Sequence, residues 1–142
     1  MPLDLDALET SFDLVAPRGE ELMDTFYARL FTAAPAVRPL FAGSDLRRQK
    51  TMLLATLVLL RTSLRNLAAV APKLRDLGAR HVAYGAEPAH YEVVGQVLIG
   101  SMADTAGDAW RHEYGRAWAA AFELVAGVML EGAAAAELAD AA

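Results

Sequence analysis

A chain of 142 residues and 15.2 kDa has room for one domain, and a hydrophobic fraction of 55% supplies enough apolar material to fold it without covalent staples. Lys+Arg 13 against Asp+Glu 18 leaves a net charge of -5, a field that repels nucleic-acid backbones and anionic lipid. The absence of cysteine excludes disulfides and thiolate metal sites, so any metal must use imidazole, carboxylate or thioether.

Apolar residues recur at helical spacing throughout, and no stretch alternates as a strand would, so the fold class is all-α. Leu5, Leu8, Phe12 and Val15 form the first stripe, which Pro17 closes. The second carries Leu22 or Met23, Phe26, Tyr27, Leu30 and Phe31 and ends before Pro35. Pro35 and Pro39 confine a short corner bearing Phe41, and Gly43-Ser44-Asp45 forms a turn. A third helix runs from about Leu46 toward Asn66; its stretch from Met52 to Leu60, broken only by Thr56, is apolar on nearly every side and predicts the most buried helix of the molecule. That stretch stops at Arg61, well short of the ~20 residues a bilayer span requires. Pro72 and Pro88 each suit the first turn of a following helix, the first with stripe Leu74, Leu77 and His81, the second with Tyr91, Val94, Leu98 and Met102. The last helix carries Trp110, Tyr114, Trp118, Phe122, Val125 and Met129, and the alanine-rich tail from about Ala133 is expected to fray. Met1-Pro2-Leu3-Asp4 does not look like a secretory leader, so the expected location is the cytoplasm, with no membrane association.

Of the three histidines, only His81 lies on an apolar stripe, with leucines four and seven residues before it. One reading is a core histidine satisfied by a hydrogen bond. The other is an axial haem ligand: one ring nitrogen meets iron while the other donates to the carbonyl one turn back, that of Leu77. A haem is a large apolar plate, and it would fill the space between this stripe and the over-hydrophobic third helix. Gln49 and Leu53 share a face of that helix, and Tyr27 carries a hydroxyl on the apolar side of its own helix. Together they make an apolar pocket with two donors, suited to a ligand that gains negative charge on binding iron.

These residues resemble single-domain bacterial haemoglobins and the globin domain of flavohaemoglobins, over about Leu8 to Leu130. The resemblance is carried by Phe26-Tyr27-Ala28-Arg29-Leu30-Phe31, by Pro39-Leu40-Phe41, by Gln49-Lys50-Thr51-Met52-Leu53, and most specifically by Leu77-Gly78-Ala79-Arg80-His81 with Tyr84-Gly85, Pro88, His90-Tyr91 and Val94-Gly95. It implies one globin domain over residues 1–142, a three-over-three helical sandwich around one haem b (iron protoporphyrin IX). It further implies His81 as proximal ligand, Phe41 as a wedge against the porphyrin, and Tyr27 and Gln49 as distal donors beside Leu53. Leu77, Tyr84, Tyr91 and Val94 belong to the haem-contacting set, with Arg80 a candidate partner of a propionate. In flavohaemoglobins the proximal histidine is linked to a tyrosine and a glutamate; Tyr91 matches the tyrosine, whereas Ala133 stands where the glutamate is expected and Glu131 lies two residues away.

The implied function is reversible binding of dioxygen and other diatomic gases. Alternatives are a nitric oxide dioxygenase served by a separate reductase, because 142 residues hold no flavin or nicotinamide domain, and a haem-based gas sensor. Gln49 or Tyr27 is also a candidate sixth iron ligand when no gas is bound. The chain is expected to be a monomer or homodimer, with exposed apolar residues of the last two helices as the candidate dimer surface.

Overall fold

The computed structural model describes residues 3–83 and 86–141. Among them are six α-helices: α1 (Leu5–Val15), α2 (Gly19–Ala33), α3 (Leu46–Ser63), α4 (Ala71–Ala83), α5 (Pro88–Ala106) and α6 (His112–Ala141). Short 3-10 turns join them at Ala16–Arg18, Pro35–Phe41, Leu64–Ala69 and Gly107–Ala109.

Local chemistry sets the boundaries. Asp4 caps α1 by accepting from the Ala7 amide at 3.1 Å, and Pro17 ends that helix in a 3-10 turn. The Asp45 carboxylate accepts from the Arg47 amide at 3.0 Å at the start of α3. At the start of α5, Pro88 follows a capping box in which the Glu87 amide donates to His90 Nδ1 at 3.0 Å. Gly107 closes α5 at φ 61°, a left-handed backbone that favours glycine.

The apolar core falls into two clusters. The larger joins α1, α2, α3, α5 and α6 around Leu8, Leu22, Phe26, Leu57, Met102 and Trp118. Each fully buried side chain of this kind contributes about 1.5–3 kcal/mol. Trp118 donates from its indole Nε1 to Ser11 Oγ at 2.8 Å, and Ser11 in turn donates to the Leu8 carbonyl at 3.2 Å, so the polar atoms buried at the α1–α6 contact are satisfied. The smaller cluster holds Leu60, Val70, Leu74 and Met129. Here α4 and α6 meet main chain to main chain: a Cβ placed on Gly78 would run into the Met129 carbonyl oxygen, and one on Gly132 into that of Arg75. Only glycine permits so close a crossing.

Three expectations are corrected. Helix α3 is not the most buried: Leu57 and Leu60 reach the core, while Met52 (47%), Val58 (44%) and Leu59 (36%) face outward. Nothing among the described elements covers that side. Trp110 precedes the last helix, on extended backbone at ψ 131° that continues into α6. The tail is helical through Ala141 and Ala133 is buried, because alanine has the highest helix propensity and the Gly132 contact anchors the segment on α4. By length and composition alone, Leu46–Ala69 and His112–Leu138 are apolar enough to cross a membrane. In the first of these, Asn66 interrupts the helix at φ -149°, ψ 61°.

Candidate functional site

Helix α4 presents Leu74, Leu77 and His81 on one side. Leu74 is buried in the smaller cluster, Leu77 packs against it, and His81 is half-buried one turn further on. His81 Nδ1 lies 2.7 Å from the Leu77 carbonyl oxygen. A carbonyl only accepts, so Nδ1 is the donor in this contact, which ties the ring to the turn before it. The Tyr91 ring of α5 stands 6.2 Å from the imidazole at 45° and also packs against the smaller cluster. Burial raises the Tyr91 phenol above its ordinary value, so it is neutral at physiological pH.

In the larger cluster, Tyr27 of α2 is buried at 5% exposure, and desolvation pushes its phenol up to about 12. Its ring lies edge-on to Phe41 at 5.9 Å, and Phe31 closes the aromatic trio at 5.5 Å from Phe41. The 3-10 turn Pro35–Phe41 places Phe41 there. Leu53 of α3 packs on the same cluster, and Gln49, one turn earlier on that face, is half-buried. The structure thus gathers Tyr27, Phe41, Leu53 and Val94 at the edge of the larger cluster and Leu77 and Tyr91 at the edge of the smaller, with His81 beside Tyr91. All but Tyr27 are half-buried, so both clusters end in incompletely covered apolar side chains. Two surface hollows lie elsewhere, one lined by α2 and α5 residues such as Arg29 and Gln96, the other by α2 and α3 residues such as Glu20 and Lys50.

Other polar residues fall outside this group. Arg80 is exposed on α4. His90 caps α5, as described, and His112 is exposed at the start of α6. Lys50 pairs with Asp24 at 3.0 Å. Tyr84 and Gly85 lie outside the described residues. Glu131 faces solvent and pairs with Arg75 at 3.4 Å, while the buried neighbouring position is Ala133. The site features that sequence reasoning missed are the Gly78 and Gly132 crossings that set α4 on α6; two glycines on separate helices carry no signal of their contact until the fold brings them together.

The chemistry of these groups fits a haem. Among the described residues, no three His, Cys, Asp or Glu side chains stand close enough to hold a bare metal ion. A metal meeting a lone imidazole needs its remaining ligands from elsewhere, which a porphyrin supplies, and the half-covered Leu53, Phe41, Val94 and Leu77 are the apolar surface such a plate would cover.

Comparison with known proteins agrees with the architecture. The family model described as Globin matches residues 24–129, and the chain belongs to the globin family. A flavohemoprotein of Deinococcus radiodurans is 32% identical over 114 residues, which cover 79% of this chain and 28% of that protein. A second, from Rhodopirellula baltica, is 32% identical over 119 residues, covering 82% of this chain and 29% of its own length. The chain therefore spans less than a third of the length of these relatives. Among solved structures, a bacterial globin from Campylobacter jejuni superposes with a TM-score of 0.81 at 20% identity, over 96% of both chains. An engineered carbene transferase from Rhodothermus marinus, its parent provisionally described as a nitric oxide dioxygenase, gives 0.82 at 21% identity over 96% of this chain and 97% of its own.

Proposed function

We propose that this chain binds one haem b and, through it, dioxygen and other diatomic gases reversibly, in the cytoplasm. The observation that carries the reading is the 2.7 Å contact of His81 Nδ1 with the Leu77 carbonyl, which holds a half-buried imidazole to its own helix by one ring nitrogen, as an axial ligand requires. When bound, ferrous haem supplies an iron that holds the gas. His81 would hold that iron from α4 through Nε2, and the half-buried Leu77 and Val94 would offer it apolar surface. Phe41, in edge-on contact with Tyr27, would pack against the porphyrin. The neutral Tyr27 hydroxyl and the Gln49 amide would donate to a polar diatomic ligand, and Leu53 would keep water away. Arg80, exposed on α4, would be the partner of a propionate.

The His81 imidazole donates to a neutral carbonyl, Glu131 is engaged with Arg75, and Ala133 stands where a carboxylate was expected. A neutral acceptor gives the histidine little imidazolate character, which favours gas binding and release over activation of the ligand. Reconstitution with haem tests the reading: the protein is expected to show a Soret band that shifts with carbon monoxide and dioxygen. A chain that takes up no haem removes the proposal.

A second reading, nitric oxide dioxygenase, is supported by the names of the flavohemoprotein relatives and of the parent of the Rhodothermus marinus protein. It requires an electron donor beyond these 142 residues. The two readings part on nitric oxide consumption: one turnover per haem without a donor, and sustained turnover when a flavin reductase is added, would establish the enzyme.

A further inference from the structure

We propose that the outward face of α3 is a self-association surface, on which a second copy of the chain docks its own α3 antiparallel about Ala55. The inference does not depend on haem. Arg48, Met52, Ala55 and Leu59 fall at i, i+4, i+7 and i+11, so they form one stripe, and every one of them is exposed. Met52 is 47% and Leu59 36% exposed, and Val58 flanks them at 44%. The opposite side of the helix already spends Leu53, Leu57 and Leu60 on the two core clusters. A helix buried on one side and still apolar on the other has a second partner to meet.

Charge selects the partner. Arg47 and Arg48 stand exposed at the N-terminal end of the stripe, with no ion pair among the described residues. Beside its C-terminal end, α1 brings Asp6, Glu9 and Asp13 to Arg61 and Arg65, three carboxylates against two guanidiniums, for a net charge of -1. One end of the stripe is therefore cationic and the other anionic. Reversing a second copy about Ala55 sets Arg47 and Arg48 of each copy toward the α1 carboxylates of the other, and it lays Met52 against Val58, with Leu59 beside them. The contact is isologous, and a small residue at its centre lets the two helices approach closely. From Arg48 to Thr62 the stripe is about 21 Å long. The apolar side chains exposed on α6, Leu124 and Leu138, accompany Glu123, Glu131 and Glu137, so a reversed copy there would face carboxylate with carboxylate.

Native chains contain no cysteine, which makes single-cysteine cross-linking unambiguous. In haem-loaded full-length protein, Ala55→Cys is expected to form a disulfide-linked dimer under mild oxidation, while Leu124→Cys on α6 remains monomeric. Sedimentation of the wild-type chain between about 10 μM and about 1 mM should show reversible dimer formation. Leu59→Asp should weaken it about tenfold or more with the helical circular dichroism unchanged. A chain that stays monomeric over that range, a dimer indifferent to Leu59→Asp, or cross-linking through Leu124→Cys in preference to Ala55→Cys would each overturn the proposal. The Soret band of the same samples reports haem uptake separately, so failure of one reading is not mistaken for failure of the other.

Discussion

At the scale of single residues, His81 carries the haem proposal. His81→Ala would remove the proposed ligand without removing any side chain of the two core clusters. The expected result is loss of the Soret band with helical circular dichroism retained. Tyr27 makes a second residue-level prediction. Its folded pKa, about 12, exceeds its unfolded value of 10.0, so the protonated phenol favours the folded state. That contribution is fully present below pH 10 and is lost as pH rises toward 12. Alkaline titration followed by phenolate absorbance should show one tyrosine ionising well after an exposed phenol would, and Tyr27→Phe should remove that late step and flatten the fall of stability over the same interval. A third residue, Ser11, joins Trp118 to the Leu8 carbonyl across 107 positions of sequence. Ser11→Ala leaves the indole N–H buried and unpartnered, with an expected loss of about 1–3 kcal/mol in denaturant unfolding.

At the scale of elements, helix boundaries were legible wherever a single residue type dictates them. Pro17, Pro72 and Pro88 mark the end or beginning of a helix because proline cannot donate, and all three stand where they were expected. The His81 stripe was legible for the same kind of reason, since period alone puts it with Leu74 and Leu77. What sequence could not reveal were properties of two elements together. The apolar surplus of α3 reads as deep burial only if neighbours exist on every side, and the outward side has none among the described elements. The turn-by-turn offset that left Glu131 near the expected carboxylate position was resolved by Arg75, a residue on another helix. The α4–α6 crossing was likewise invisible, and it supports a prediction: Gly78→Ala or Gly132→Ala drives a methyl group into a carbonyl oxygen. Either should cost at least about 1–3 kcal/mol and lower haem affinity by displacing α4.

For the molecule as a whole, the division of the core matters most. The larger cluster ties five helices together and is sealed by Trp118 at 1% exposure, whereas the smaller holds α4 with few fully buried side chains. Without haem, amide hydrogen exchange is expected to be fastest in α4 and the 64–69 turn and slowest in the parts of α1, α2, α5 and α6 that surround Trp118. Adding haem should slow exchange in α4 and raise the melting temperature, because a ligand that binds only the folded state stabilises it by mass action. Equal protection of α4 with and without haem would argue against a plate lying between the clusters.

The glycine crossing has a mechanical consequence. Where helices meet through side chains, rotamer changes absorb a small shift of one against the other; where peptide rests on peptide, nothing soft lies between. Gly78 sits three residues before His81, and its neighbour across the crossing is the carbonyl of Met129. A push or pull on the imidazole thus reaches the closing turns of α6 with little slack, making the far end of the longest helix a lever on the height of one ring nitrogen.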